Sequence, residues 1–178
     1  MFNNKRSSTG RIAAIAGSAV LAGLLLGGTA QAMPDDHPGY DRYCTADQVD
    51  VGITPLDHST MQAGADVQFT AKPGQSCQLG GAPGLTFLDG QGKPLGISTE
   101  RAGGDAADHV VDGQHAVNAS FHYQVTDPNT GDALPGPTPA SVDVAFPGPV
   151  APYTVNVPWN GTSVPGPVSI SDVAPAQG

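Results

Sequence analysis

Between His115 and Thr126 the residues Val117, Ala119, Phe121, Tyr123 and Val125 alternate strictly with Asn118, Ser120, His122 and Gln124. A two-residue period places all five apolar side chains on one face of an extended chain and the polar ones on the other. The segment is therefore expected to be a long strand with one buried face. The same alternation recurs in Val49, Val51 and Ile53, in Val67, Phe69 and Ala71, and in Val142, Val144 and Phe146. Shorter apolar pieces are Leu85 to Leu88, Val110 with Val111, YTVNVPW and PVSISDV. Pro158 marks YTVNVPW as an edge or irregular strand, because proline cannot donate to a ladder.

Turn residues punctuate these pieces throughout. Lys72-Pro73-Gly74 ends one strand, and Asp112-Gly113 and the loop DPNTGDALPGPTP flank others. Asp89-Gly90-Gln91-Gly92 reads as a hairpin turn, with Lys93 to Thr99 returning as the partner strand. Some eight short strands, frequent turns and almost no helical periodicity predict one all-β domain, an antiparallel β-sandwich of about seven to nine strands.

The N-terminus carries a different signal. Lys5, Arg6 and Arg11 precede an apolar run from Ile12 to Leu26, and small residues follow up to Ala30-Gln31-Ala32. That order is that of a secretory signal peptide cleaved after Ala32, and the apolar run is too short and too weakly hydrophobic to span a bilayer. The predicted organisation is a signal over residues 1–32, a flexible polar leader over 33–43, a β-sandwich over 44–173 and a short tail over 174–178. The expected location is secreted, extracellular or cell-wall associated, with no membrane insertion after cleavage. About 146 residues then remain, enough for one domain and one core.

Cleavage removes three of the seven basic residues and none of the sixteen acids, fifteen of which are Asp. A chain this acidic repels nucleic acid and anionic membranes, so neither is an expected partner. Export also gives the two cysteines a role. Cys44 precedes the first strand and Cys77 follows the second. A Cys44–Cys77 disulfide would close a loop of about 34 residues, worth roughly 3 to 4 kcal/mol by the chain-entropy relation. The alternative, a reactive or metal-binding thiol pair, lacks the C-x-x-C spacing.

Candidate chemistry is sparse. His58, His109, His115 and His122 show no HxH, HExxH or His/Cys ligand spacing, and surface or loop positions account for them. Ser98, Ser120, Ser141, Ser163 and Ser169 lie in no nucleophile elbow. Asp127, Asn129 and Asp132 place oxygens as the start of a calcium loop does, but position six is Asp132 instead of glycine and position twelve is Thr138. An acidic hairpin loop is the preferred reading of those three residues, with a calcium site as the alternative. The pairs Asp35-Asp36 and Asp105 with Asp108 are less specific still. Two glycosylation sequons, at Asn118 and Asn160, read as chance matches, and Trp159 is expected to pack in the core. No catalytic residue and no cofactor are expected.

The order Cys44, the Val49-Val51-Ile53 strand, the Val67-Phe69 strand, Cys77-Gln78-Leu79-Gly80-Gly81-Ala82-Pro83-Gly84 and Leu85-Thr86-Phe87-Leu88-Asp89-Gly90-Gln91-Gly92 resembles the secreted actinobacterial domain of unknown function 4232. Asp112-Gly113-Gln114-His115-Ala116 and Pro147-Gly148 resemble later turns of that family, and the likeness covers roughly residues 44 to 173. It implies an immunoglobulin-like sandwich in an exported or surface protein, and no established activity. Many such domains carry two further cysteines in their second half, and this chain has none there. The functional expectation is a non-enzymatic envelope or extracellular module that binds a protein or glycan partner through loops or a sheet edge. A metal-dependent binding protein or enzyme using Asp127, Asn129 and Asp132 is the alternative.

Overall fold

The structure is a computed structural model that describes residues 40–54, 57–103, 107–149 and 153–176. The expected export signal and the leader up to residue 39 lie outside the described residues. Twelve strand segments and no helix are found within them: β1 (Val49–Ile53), β2 (Asp57–His58), β3 (Gln62–Ala71), β4 (Cys77–Gly80), β5 (Gly84–Leu88) and β6 (Thr99–Arg101) in the first half. The second half supplies β7 (Asp108–Val111), β8 (Val117–Gln124), β9 (Ser141–Ala145), β10 (Thr154–Pro158), β11 (Val168–Ile170) and β12 (Ala174–Pro175).

These strands form the two layers of an all-β sandwich. One sheet runs β1-β3-β8-β11-β6, with β2 added beside β3 and β12 beside β8. The other runs β10-β9-β5, and β4 with β7 makes a separate ribbon. The alternation of β8 sets the first sheet's inner face. Val117, Ala119, Phe121 and Tyr123 are buried there, and across from them on β3 stand Phe69, Val67, Ala65 and Ala63. Large and small residues face each other, Phe121 against Ala65 and Tyr123 against Ala63, so the pleated face stays close-packed without overcrowding.

The second sheet presents Leu85 and Phe87 of β5, Val142 and Val144 of β9 and Val157 of β10 to the same core. Aromatic rings stitch the layers together. Phe87 of one sheet meets Phe121 of the other at 6.5 Å between ring centres and Trp159 edge-on at 5.6 Å. Trp159 is buried, as expected of it, and its indole N–H donates to the Thr162 carbonyl. β10 is the edge of its sheet and ends at Pro158, the position where a missing N–H costs no ladder bond.

Three expectations need correction. Residues Lys93 to Thr99 do not return as a hairpin partner of β5: Pro94 bridges Leu88, Leu95 donates to the Phe87 carbonyl, and Gly96 then turns the chain away with φ of 71°. A positive φ of this kind is unstrained only in glycine. The chain crosses to the other layer, where β6 pairs with β11 in parallel, the exception to an otherwise antiparallel set of ladders between the named strands. Cys77, which the sequence places between the second strand and the Leu85 to Leu88 strand, starts a further strand not expected there, β4, and faces Val111 of β7. Finally, Ala174 and Pro175 extend the first sheet as β12 instead of forming a tail, because an extra residue between β11 and β12 lets both segments pair with β8.

Candidate functional site

Residues next to Cys44 and Cys77 in the chain, Tyr43 and Gly80 to Ala82, line an open cleft. The two cysteines are bonded in a disulfide with Cα atoms 4.9 Å apart. The bridge holds the incoming chain against β4, where Cys44 donates to the Gln78 carbonyl and Gln78 donates to that of Arg42. Tyr43 is thereby fixed and buried, although the sequence assigned it to a flexible leader. Its hydroxyl donates to Asp108 Oδ2 at 2.8 Å, and the Arg42 guanidinium lies 5.2 Å from its ring centre. Arg42 also reaches Asp108 Oδ2, at 3.5 Å. Hydrogen bonding to the Tyr43 oxygen, helped by its partial charge and by Asp108, raises the Arg42 pKa above its usual value.

Asp108 sits at the start of β7 directly opposite Gly80, the last residue of β4. A side chain at Gly80 would collide with Asp108 Oδ1, so glycine is what lets the carboxylate lie across the ribbon. Gly80, Gly81 and Ala82 line one wall of an open cleft of about 480 Å³, and Gly148 and Pro149, just beyond β9, line another. Tyr43, Asp108 and Arg101 complete it.

Arg101 comes from β6 and is anchored from behind. Its Nε and Nη2 donate to the two carboxylate oxygens of Asp172 at 2.7 and 2.6 Å. Asp172 is the one buried charged side chain among the described residues, turned inward with Val173 by the extra residue that separates β11 from β12. The forked geometry matches guanidinium to carboxylate. Asp172, by hydrogen bonding and then by charge, raises the Arg101 pKa above its usual value. About half of the Arg101 side chain remains exposed, on the cleft side.

The other sequence candidates are placed elsewhere. Asp127, Asn129 and Asp132 sit in a short turn closed by the Thr126–Ala133 bridge. Asp127 Oδ1 accepts the Asn129 N–H, the Asp127 carbonyl accepts the Gly131 N–H, and Thr130 Oγ1 accepts the Asp132 N–H, so the polar groups serve the turn itself. Among the described residues no three His, Cys, Asp or Glu side chains gather around a point that could hold a metal ion. His115 lies against Asp112 at 2.8 Å, and His122 faces outward opposite Gly64. Ser120 donates to Asp66 Oδ1 at 2.6 Å on the outer face of β8, not to an imidazole.

Sequence reasoning missed the Arg101–Asp172 and Tyr43–Asp108 pairs, whose members are far apart in the chain. One available signal was the scarcity of bases: beyond residue 32 the chain has only Arg42, Lys72, Lys93 and Arg101, and both arginines serve this end of the molecule.

Among the described residues, no helix is long and apolar enough to cross a membrane. A family model described as "Domain of unknown function (DUF4232)" matches residues 44–176. No curated protein and no solved structure matches the chain.

Proposed function

Because the chain belongs to the DUF4232 family over most of its length, a family whose description carries no activity, we propose that it is an exported, non-enzymatic binding protein of the cell envelope or extracellular space that engages its partner through the Tyr43–Arg101–Asp108 cleft. The observation that supports this reading is the construction of the cleft. Arg101 is paired in bidentate fashion with the buried Asp172, and Asp108 accepts from the Tyr43 hydroxyl, beside a wall of glycine backbone near a disulfide. Polar groups fixed in advance lose little freedom on binding, which is how a small concave site reaches useful affinity. The disulfide fits an oxidising compartment, as does the signal-like N-terminus.

Two measurements test the reading together. The intact mass of the protein recovered outside the cell should correspond to a chain starting at Met33 and lacking the two hydrogens of the Cys44 and Cys77 thiols. A photo-cross-linking residue at Pro149, on the cleft wall, should capture an envelope or extracellular molecule in living cells, and the same residue at Gln124 on the far strand should not. Recovery only inside the cell, or equal capture from both positions, would count against the proposal.

A further inference from the structure

Both charges that line the cleft are already compensated inside the protein. Arg101 is paired in bidentate fashion with the buried Asp172, and Asp108 accepts from Tyr43 and faces Arg42. An ionic ligand would therefore meet no net opposite charge there and would still have to shed its own hydration, an unfavourable exchange. What the cleft does retain is hydrogen-bonding capacity. A guanidinium has five N–H donors, and the Asp172 fork uses two of them. The described residues offer no other acceptor to Arg101, whose side chain is half exposed toward the cleft. Asp108, also on the cleft lining, takes the contacts from Tyr43 and Arg42 on Oδ2, and its Oδ1, which lies over Gly80, accepts from no described residue.

A donor edge and an acceptor atom thus face one cavity, both immobilised and neither carrying unbalanced charge. The matching ligand group both donates and accepts and has no charge: a hydroxyl, and best a set of neighbouring hydroxyls on a ring. The cavity is large enough for a small ligand, since such sites commonly span roughly 300 to 1,000 Å³.

We infer that the cleft is a saccharide-binding site for an uncharged sugar unit, with Asp108 Oδ1 accepting from and Arg101 donating to adjacent ring hydroxyls. This rests on the binding reading above and names the ligand class for the same cleft.

The test is a titration followed by backbone amide resonances, using protein produced from the full sequence with its disulfide formed. The probes are neutral trisaccharides of glucose, mannose, galactose and N-acetylglucosamine, with inorganic phosphate and glycylglycine as charged comparisons. At least one trisaccharide should shift the amides of Gly80, Gly81, Ala82 and Gly148, and the charged probes should not. Asp108→Ala should weaken that binding by about tenfold, the effect of one lost hydrogen bond. Asp108→Asn, which preserves the shape and the contact with Tyr43, should weaken it less, and Asp66→Asn on the outer sheet face should leave it unchanged. If Asp108→Ala fails to fold, the Asp108→Asn and wild-type titrations still decide the matter.

Failure of all four trisaccharides to shift cleft amides at tens of millimolar overturns the inference, as does binding of phosphate or glycylglycine alone in the cleft. Shifts confined to Asp66 and Ser120 overturn it too. Capture of a polypeptide through Pro149 with no saccharide response would sink the sugar assignment and leave the binding function standing. Failure of both would remove both.

Discussion

Tyr123 shows how one atom tunes a core. Its ring fills the space opposite Ala63 and is almost wholly buried, and its hydroxyl is buried without a partner in hydrogen-bonding geometry. Burial pushes the phenol pKa up, with nearby Thr162 offsetting a part. A buried unpaired hydroxyl carries a desolvation cost that an apolar replacement of equal shape avoids. Tyr123→Phe is therefore expected to leave stability unchanged or to raise it by about 1 kcal/mol, measured by denaturant unfolding. The sign of the pH effect follows. The unfolded phenol ionises near pH ~10 and the folded one higher, so stability present below that pH is lost as pH rises above it. Tyr123→Phe removes this contribution to the alkaline limb. A loss of more than about 1 kcal/mol in the variant would mean that the hydroxyl does have a partner.

At the level of elements, the small β4–β7 ribbon is the piece most dependent on a covalent link. β4 pairs with β7 alone among the named strands, and the Tyr40–Cys44 segment is tied to it by two backbone bonds and the disulfide. With the cysteines 33 positions apart in sequence, the double variant Cys44→Ala, Cys77→Ala should lose roughly 3 to 4 kcal/mol of stability. Its largest amide shifts should fall at residues 40–44 and 77–80. A loss below about 1 kcal/mol would show that the unfolded chain is little constrained by the bridge.

The elements were unevenly legible. The buried face of β8 follows from its period of two, and β1, β3 and β9 from the same rule. The crossover at Gly96 and the pairing of β6 did not, because Asp-Gly turn chemistry marks a reversal of the chain and not which sheet receives it. The bulge that buries Asp172 breaks alternation in SISDV, where a local pattern reads only a strand end. The cleft was hidden for a related reason: its charged pairs join residues 65 to 71 positions apart, and no spacing rule reaches that far.

For the molecule as a whole, acidity is its most general property, with a net charge of −9. Several carboxylates are tied into turns. Asp89 accepts the N–H groups of Lys93 and Gln91, and these hold its pKa below the usual value. Asp112 is lowered first by the Gln114 N–H and then by the His115 side chain, and Asp47 first by the Thr45 hydroxyl. A carboxylate whose folded pKa is depressed contributes stability that is fully present above its unfolded value, near ~4, and that disappears as pH falls through the folded value. The unfolding temperature should thus change little from pH 7 to about 5 and drop below about 4. Replacing Asp47, Asp89 and Asp112 together with Asn, which keeps the turns but does not titrate, should flatten that acid limb in a thermal scan across pH. An unchanged limb would assign acid sensitivity to other groups.

The strand order also governs when the fold is completed. β11 lies between β8 and β6, and its neighbour Asp172 anchors Arg101. β11 and β12 are the last strands in chain order. A chain emerging N-terminus first has no partner to offer β6, and no counter-charge for Arg101, until residues 168–172 are free. The first sheet then closes in a late step around a segment that must arrive from the far end of the sequence, a high contact-order arrangement that slows folding. A chain made from its N-terminus onward therefore locks this sheet only once its last strands are available.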